Sequence, residues 1–200
     1  MSPHSLSTLI EGRCVWHRTA WRGGVCYSSI IEQRLHNRKG TILMADVHLR
    51  PISLTNYKEC LALDLDPTQT GFVASNAKSV AEAKVNPTLT PLAIYDVAAR
   101  GHDHPPVPML GFAMYEIAAG VGYIMRLMID GAYQGQGYGR AAVIEVIRRL
   151  RLSPEVELIG TGHHPENAAA AHLYRSLGFL PWEPTFAPPD SPDVHLKLPD

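Results

Sequence analysis

One seven-residue stretch of the chain reads Gln134-Gly135-Gln136-Gly137-Tyr138-Gly139-Arg140. An apolar run of strand length precedes it at 123–129, and apolar residues at helical spacing follow at 137–150. Glycines allow a backbone to turn sharply and to approach a ligand closely, and the first amides of a helix have no partner within it. Strand, glycine loop and helix in this order predict an anion site suited to a pyrophosphate, where Arg140 adds a positive charge.

Two other nucleotide loops do not fit. A P-loop ends in Gly-Lys-Ser/Thr, whereas this loop ends in Gly-Tyr-Gly-Arg. A Rossmann fingerprint spaces its glycines as G-x-G-x-x-G, and glycines at 135, 137 and 139 miss that spacing. A tight strand-to-helix turn without a ligand stays open as an alternative.

The loop does match the pattern Gln/Arg-x-x-Gly-x-Gly/Ala, and in this it resembles the acyl-CoA loop of the GNAT superfamily of N-acetyltransferases. One strand and one helix later, residues 167–179 read Asn-Ala-Ala-Ala-Ala-His-Leu-Tyr-Arg-Ser-Leu-Gly-Phe, which is similar to a second segment of that family, Asn-x-x-Ala-x-x-Leu-Tyr-x-x-x-Gly-Phe. Residues 111–115 and 126–139 look most like the spermidine/spermine-type diamine acetyltransferases. The resemblance covers about 47–179.

The resemblance implies a fold and a set of site residues. The fold is α/β (mixed α+β), a twisted mixed sheet flanked by helices, with acyl-CoA in a cleft between splayed central strands. Tyr174 is implied as the general acid that protonates the departing thiolate. The residues implied to bind acetyl-CoA are Leu127, Met128, Ile129, Gln134, Gly135, Gln136, Gly137, Tyr138, Gly139, Arg140 and Asn167.

The same resemblance implies an enzyme that transfers an acetyl group from acetyl-CoA to a primary amine, such as a polyamine or diamine, by direct attack. It also suggests a homodimer. A non-catalytic module that senses acyl-CoA and an acetyltransferase acting on a protein or peptide amine stay open as alternatives. Structural roles stay open too, because Asn167 suits a helix N-cap and Tyr174 suits packing on a helix face.

The general base departs from the family pattern, because Met125 occupies the position where an acidic residue is expected. An alkylamine must lose a proton before it attacks. Glu116, Tyr123, Asp130 and Glu166 are the remaining candidates.

Two histidine pairs raise the question of a metal. His102 with His104 and His163 with His164 lie in predicted loops, without further ligands at metal-site spacing. We therefore predict no metal, and we consider substrate or CoA contact for His163 and His164.

The composition is globular, with 46% hydrophobic and 18% charged residues among 200. A net charge of −1 predicts no attraction for nucleic acid, and no apolar run reaches the ~20 residues of a membrane helix. Three cysteines without a C-x-x-C pair favour reduced thiols and a cytoplasmic protein.

Residues 1–44 carry six basic and two acidic side chains. We interpret them as a disordered extension ahead of an N-acetyltransferase domain at 45–200. A mitochondrial transit peptide shares this basic composition, but a clean amphipathic period is missing.

The remaining pattern predicts strands at 47–52, 92–97, 108–117 and 156–162, with a last edge strand at 194–198. Helices are predicted at 54–63 and 167–177, the second ended by a left-handed Gly178. Ser79 with Glu82 three residues later suggests a helix N-cap. In the 137–150 helix, one apolar face is formed by Val143, Val146, Ile147 and Leu150.

Overall fold

A computed structural model of the chain describes residues 45–69, 71–97, 107–187 and 191–199. Its strands are β1 (Val47–Pro51), β2 (Leu89–Asp96), β3 (Gly111–Ala118), β4 (Val121–Ile129), β5 (Leu158–His163), β6 (Leu180–Pro181) and β7 (Val194–Leu198). Its α-helices are α1 (Tyr57–Ala62), α2 (Asn76–Val85), α3 (Tyr138–Arg151) and α4 (Ala168–Ser176), and short 3₁₀ turns span Pro67–Gln69 and Gly131–Tyr133.

The strands form one mixed sheet in the order β1-β2-β3-β4-β5-β7-β6. The pair β4–β5 is parallel, and the other neighbouring strands are antiparallel. A parallel pair needs a crossover, and α3 supplies it. The predicted mixed α/β architecture is confirmed.

Each face of the sheet has its own core. On one face, α3 buries the predicted row Val143, Val146, Ile147 and Leu150 against the strands, together with Tyr174 of α4. On the other face, Cys60 of α1 packs with Phe112, Met114 and Met128. Side chains of neighbouring residues on a strand point to opposite faces, so β3 and β4 contribute to both cores.

The first two helices differ from prediction. The predicted helix at 54–63 is observed only at Tyr57–Ala62; it buries Cys60 and leaves Leu61 49% exposed. Ser79 is not a cap but is buried inside α2, where its hydroxyl donates to the Ser75 carbonyl at 2.9 Å. Ser75 caps α2, since its side chain accepts from the Lys78 amide. Capping-box spacing thus placed the helix start four residues late.

Two strands also differ from prediction. The strand at 194–198 is present but is not at the edge, because Leu180–Pro181 pairs along its outer side. Strand β2 begins at Leu89, three residues before the predicted start, and runs through Pro91. Proline lacks an amide hydrogen, and β1 ends opposite Leu92, so Pro91 lies where no partner strand needs that donor.

Several predictions fall outside the described residues, namely the extension at 1–44 and the pair His102 and His104. Among the helices of the described ranges, none combines the length and apolar composition that crossing a bilayer requires.

Candidate active site

The site is organised around a gap between β4 and β5. The two strands pair only as far as Ile124 opposite Thr161, and they then continue without pairing to each other, β4 to Ile129 and β5 to His163. Strand β4 bulges at Met125, which the register with β3 skips. A bulge bends its strand and increases the local twist. The gap therefore opens where the bulge turns β4 away from β5.

The free edge of β4 offers backbone groups to this gap. The amide of Asp130 donates at 3.0 Å to the segment that leads into β3. In an antiparallel strand, the amide and the carbonyl of one residue point to the same side, and those of the next residue point to the other side. The backbone groups of Leu127 and Ile129 therefore face the gap, whereas those of Met128 face β3. The Ile129 carbonyl already accepts from Gln134 Nε2 at 2.9 Å. The groups left for a ligand are both backbone groups of Leu127 and the Ile129 amide.

Glycines give the following loop its shape. Gly135 and Gly137 have φ values of +70° and +88°, a left-handed region that is costly for residues with a Cβ. The exposed Gln136 lies between them, and Gly137 is the N-cap from which α3 begins. The first amides of this 14-residue helix have no intrahelical partner and lie at the positive end of its dipole. This backbone suits an anion.

Three side chains of the loop have partners within the protein. The Gln134 and Gln69 amides exchange two hydrogen bonds of 2.9 and 3.0 Å. Tyr138 is buried and its hydroxyl donates to Asp96 at 2.9 Å. Arg140 Nη1 donates to the hydroxyl of the last residue of α4 at 2.7 Å. These side chains fix the loop, so the loop's contribution to anion binding falls chiefly on its backbone.

Asn167 caps α4, as its alternative interpretation predicts. Its Oδ1 accepts from the Ala170 amide at 3.0 Å. Among the described residues, none accepts a hydrogen bond from its Nδ2, and the residue borders the cavity described below. The cap and a ligand contact are therefore compatible.

Tyr174 lies at the inner end of the gap, 4% exposed. Its ring stacks on His163 at 6.4 Å and meets Phe179 edge-on at 5.5 Å. Burial raises the pKa of Tyr174, and a hydrogen bond with Thr161 offsets part of the rise. The Thr161 hydroxyl in turn donates to the Ile124 carbonyl at 3.2 Å. The phenol therefore stays protonated at neutral pH, as a proton donor must.

A cavity of about 350 Å³ joins these features. It extends from the connection between α1 and α2, across the free part of β4 and the glycine loop, to α4. Its lining includes Gln69, Phe72, residues 125–129, Gly137, Gly139, Arg140, Gly162, His163, Asn167, Leu173 and Tyr174. Ten of the eleven residues predicted to bind acetyl-CoA line it, and the exception is the exposed Gln136.

The chain matches known proteins in the segment that builds this gap. Residues 86–179 match the acetyltransferase (GNAT) family. The seven-stranded sheet has the GNAT fold. The ribosomal-protein-S18-alanine N-acetyltransferase of Escherichia coli is similar with a TM-score of 0.54 at 19% identity, over 76% of this chain and 93% of that one. The spermidine N-acetyltransferase of Vibrio cholerae, in complex with CoA and spermine, gives a TM-score of 0.56 at 14% identity, over 76% and 93%.

One curated relative is similar in sequence. A mycothiol acetyltransferase of Nocardiopsis dassonvillei is 40% identical over 73 residues, 34% of this chain and 21% of the relative. The chain thus matches about a fifth of that protein's length. GNAT structures that bind spermine and structures named for a ribosomal protein are both similar to this chain, so the resemblance to diamine acetyltransferases does not extend to a choice of acceptor.

Two further charged or polar side chains line the cavity: Arg126, which the sequence did not indicate as a site residue, and His163, which it offered for substrate or CoA contact. Arg126 lines it, and Arg126 Nη1 lies 2.7 Å from Glu82 Oε2 on α2. His163 is 8% exposed and also lines it, with Nδ1 at 2.9 Å from the His164 carbonyl. Its neighbour His164 stacks on Phe72 at 5.5 Å. The contacts of Arg126 with Glu82 and of His164 with Phe72 join elements far apart in the chain, so no sequence pattern indicates them.

Most of the residues that the sequence offers as general bases either form hydrogen bonds elsewhere in the fold or are exposed. Glu116 accepts from Asn86 and Thr88 at the far end of β3. Asp130 caps the 3₁₀ turn and binds the Asp64 amide at 3.0 Å. Glu166 is exposed, and Met125 has no titratable group. Tyr123 lies on β4 next to Ile124, the last residue that pairs with β5 before the gap.

Proposed function

We propose that this protein transfers an acetyl group from acetyl-CoA to a primary amine by direct attack, without an acyl-enzyme. The observation that carries this proposal is the gap between β4 and β5, where an unpaired strand edge, a glycine-capped helix start and a buried phenol lie along one cavity. An acyl-CoA thioester is long, carries a pyrophosphate and ends in a carbonyl, and these three features correspond to that arrangement.

Each element has a role in the proposed reaction. The amides that follow Gly137 bind the pyrophosphate. The backbone groups of Leu127 and Ile129 that face the gap bind the pantetheine arm, and an amide among them stabilises the oxyanion of the tetrahedral intermediate. Asn167 Nδ2 adds a contact to the CoA arm. Tyr174 gives its proton to the thiolate as the carbon–sulfur bond breaks.

The lining of the cavity favours an acceptor with a single amine over a polyamine. Among its described lining residues, the permanently charged side chains are Arg126 and Arg140, and none is a carboxylate. The nearest acidic partner of Arg126 is Glu82, whose charge the guanidinium already neutralises. A second ammonium group on the acceptor would find no counter-charge here. An amino-acid derivative or a peptide N-terminus meets no such penalty.

A free-thiol assay tests the activity. Acetyl-CoA is offered with alanine amide, with a short peptide bearing a free N-terminus, with an aminoglycoside and with spermidine, alongside a sample without amine. We expect CoA release at least about tenfold above the no-amine rate, and faster release with alanine amide or peptide than with spermidine.

The same assay separates the enzyme from a sensing module. Both bind acetyl-CoA and both gain thermal stability from it, by about 2.7 kcal/mol at a hundredfold excess over Kd. Stabilisation by acetyl-CoA without CoA release for any of the four amines would favour the sensing module. Release that is fastest with spermidine would instead restore the polyamine as acceptor.

A further inference from the structure

A tyrosine and a histidine form a hydrogen-bonded pair beside the last paired residues of β4 and β5. The hydroxyl of Tyr123 on β4 lies 2.6 Å from Nδ1 of His195 on β7. Strand β5 lies between these two strands, so the tyrosine side chain crosses it to reach the histidine. Tyr123 stands opposite Gly160 and His195 stands opposite Gly162 in the two registers.

The crossing depends on those two glycines. A Cβ on Gly160 would lie 2.9 Å from Tyr123 Cδ2, and one on Gly162 would lie 2.5 Å from the Tyr123 hydroxyl oxygen. Contacts this short require that something shift, so side chains at these positions would displace the ring. Gly162 also lines the cavity. The phenol oxygen of Tyr123 therefore packs against the backbone of a residue that lines the cavity, with no side chain of β5 in between.

The pair and Tyr174 occupy opposite faces of the sheet at one level of the strands. Tyr174 hydrogen-bonds Thr161, the last residue of β5 that pairs with β4. Ile124 packs in the same core as Tyr174, and Tyr123 precedes it on the strand, so Tyr123 points to the other face. A substrate that reacts in the gap would therefore have the Tyr174 phenol on one side and the Tyr123 phenol on the other.

His195 has an unusual environment. Its Nε2 is buried, and no hydrogen-bond partner for it exists among the described residues. A buried polar atom without a partner costs free energy and calls for an explanation. The titratable groups that interact with the pair are Asp193, ahead of β7, and Tyr174, and the aromatic ring of Phe186 packs edge-on against Tyr123 at 5.4 Å.

Tyr123 keeps its proton as a phenol, because burial raises its pKa and the charges of Asp193 and ionised Tyr174 raise it further. In the imidazole tautomer that carries its proton on Nε2, this phenol donates to His195 Nδ1. That tautomer is the one a relay from Tyr123 to His195 needs. A protonated phenol can accept a proton from an amine only if it gives its own proton to another group, which here is His195.

We propose that Tyr123 and His195 form a proton relay that deprotonates the acceptor amine, with Tyr123 touching the amine and His195 as the terminal base. This inference rests on the proposed acetyl transfer. The amine nitrogen forms a bond to the thioester carbon, and its proton passes to the Tyr123 oxygen while the Tyr123 proton passes to His195 Nδ1. On the other face the carbon–sulfur bond breaks, and the thiolate takes the Tyr174 proton. Proton return from the imidazolium to Tyr174 through solvent restores the enzyme.

The relay takes the role of the acidic residue that the family pattern leads us to expect where this chain has Met125. A carboxylate at that position would remove the proton directly. Here the β4 residue two positions earlier reaches the gap and hands the proton to β7.

The test compares Tyr123→Phe and His195→Gln with His172→Gln, which removes an exposed histidine of α4 and serves as the control. The substrates are acetyl-CoA and whichever amine of the four-member panel the wild-type protein acetylates fastest. We expect kcat/KM to fall at least about tenfold in both relay variants, in keeping with the ~10²–10⁴-fold of general base catalysis. The control should match the wild-type protein.

The split between kcat and KM separates a relay from a purely structural role. Both relay variants should lose kcat, while the KM for the amine and the apparent Kd for acetyl-CoA stay within about twofold of the wild-type values and report an intact fold. His195→Gln and Tyr123→Phe proteins that bind acetyl-CoA and keep wild-type kcat, or in which only KM changes, would overturn the relay and leave acetyl transfer standing. No CoA release by the wild-type protein with any amine would overturn both.

Discussion

At the scale of single residues, Tyr174 offers the sharpest test of the chemistry. Tyr174→Phe keeps the ring contacts to His163 and Phe179 and removes only the hydroxyl. Turnover should fall at least about tenfold, because the leaving thiolate loses its proton donor. The free energy of unfolding should fall by about 1 kcal/mol for the lost hydrogen bond to Thr161. Steady-state kinetics and thermal melting measure the two effects.

Tyr115→Phe is the matched control, since Tyr115 is partly buried on β3 and packs against the same core. It should change neither turnover nor the affinity for acetyl-CoA. A Tyr174→Phe protein with wild-type turnover would return Tyr174 to a packing role.

The sequence predicts residue roles well where a motif carries them and poorly where a partner is distant. The N-cap at Asn167 follows from its place before a helical run. The pairing of Gln134 with Gln69, 65 residues away, has no local signal. The same holds for Tyr123 and His195, which are 72 residues apart. Tyr123 is among the candidate bases that the sequence offers, but a hydrogen bond to a residue two strands away in the sheet leaves no one-dimensional pattern.

At the scale of secondary-structure elements, the proposed CoA contact at the start of α3 can be tested by substituting its glycines. A Cβ on Gly139 would lie 3.7 Å from Ile129 Cγ1 and 3.8 Å from Leu173 Cδ2, which are ordinary contacts. Gly139→Ala should therefore fold, with a helix stabilised by up to about 1 kcal/mol. The methyl group narrows the groove between β4 and α4, so the thermal shift produced by CoA should decrease.

Gly137→Ala is the contrasting variant. Its φ of +88° is strained for alanine, so the unliganded protein should lose about 1–2 kcal/mol. Melting curves with and without CoA distinguish the two variants. A Gly139→Ala protein with an undiminished CoA shift would place the ligand elsewhere.

Elements with a long, regular pattern were predicted from the sequence, and short ones were not. The four apolar positions of α3 repeat over two turns and are all buried. Helix α1 has six residues, too few for a period to be distinguished from chance. Strand β6 has two, and its pairing with β7 depends on backbone hydrogen bonds that leave no trace in hydropathy. That missing strand is why β7 was wrongly predicted to be an edge.

At the scale of the whole molecule, the seven described strands all lie between residues 47 and 198. We therefore expect a protein without residues 1–43 to melt in one cooperative transition and to bind CoA as the full chain does. Ala45 packs against the main core and lies near Gly137, so the truncation should begin at Met44 and not later. Aggregation, or a Kd for CoA raised more than about tenfold, would contradict the prediction.

The position of β7 between β5 and β6 has a consequence for synthesis on the ribosome. Strand β5 ends at residue 163 and its neighbour β7 ends at residue 198. At the usual ~5–20 residues per second, the nascent chain carries β5 with one open edge for about 2–7 s. Open edges attract other strands. The polypeptide is thus prone to mispairing in this interval, and the histidine that completes the relay emerges only at its end.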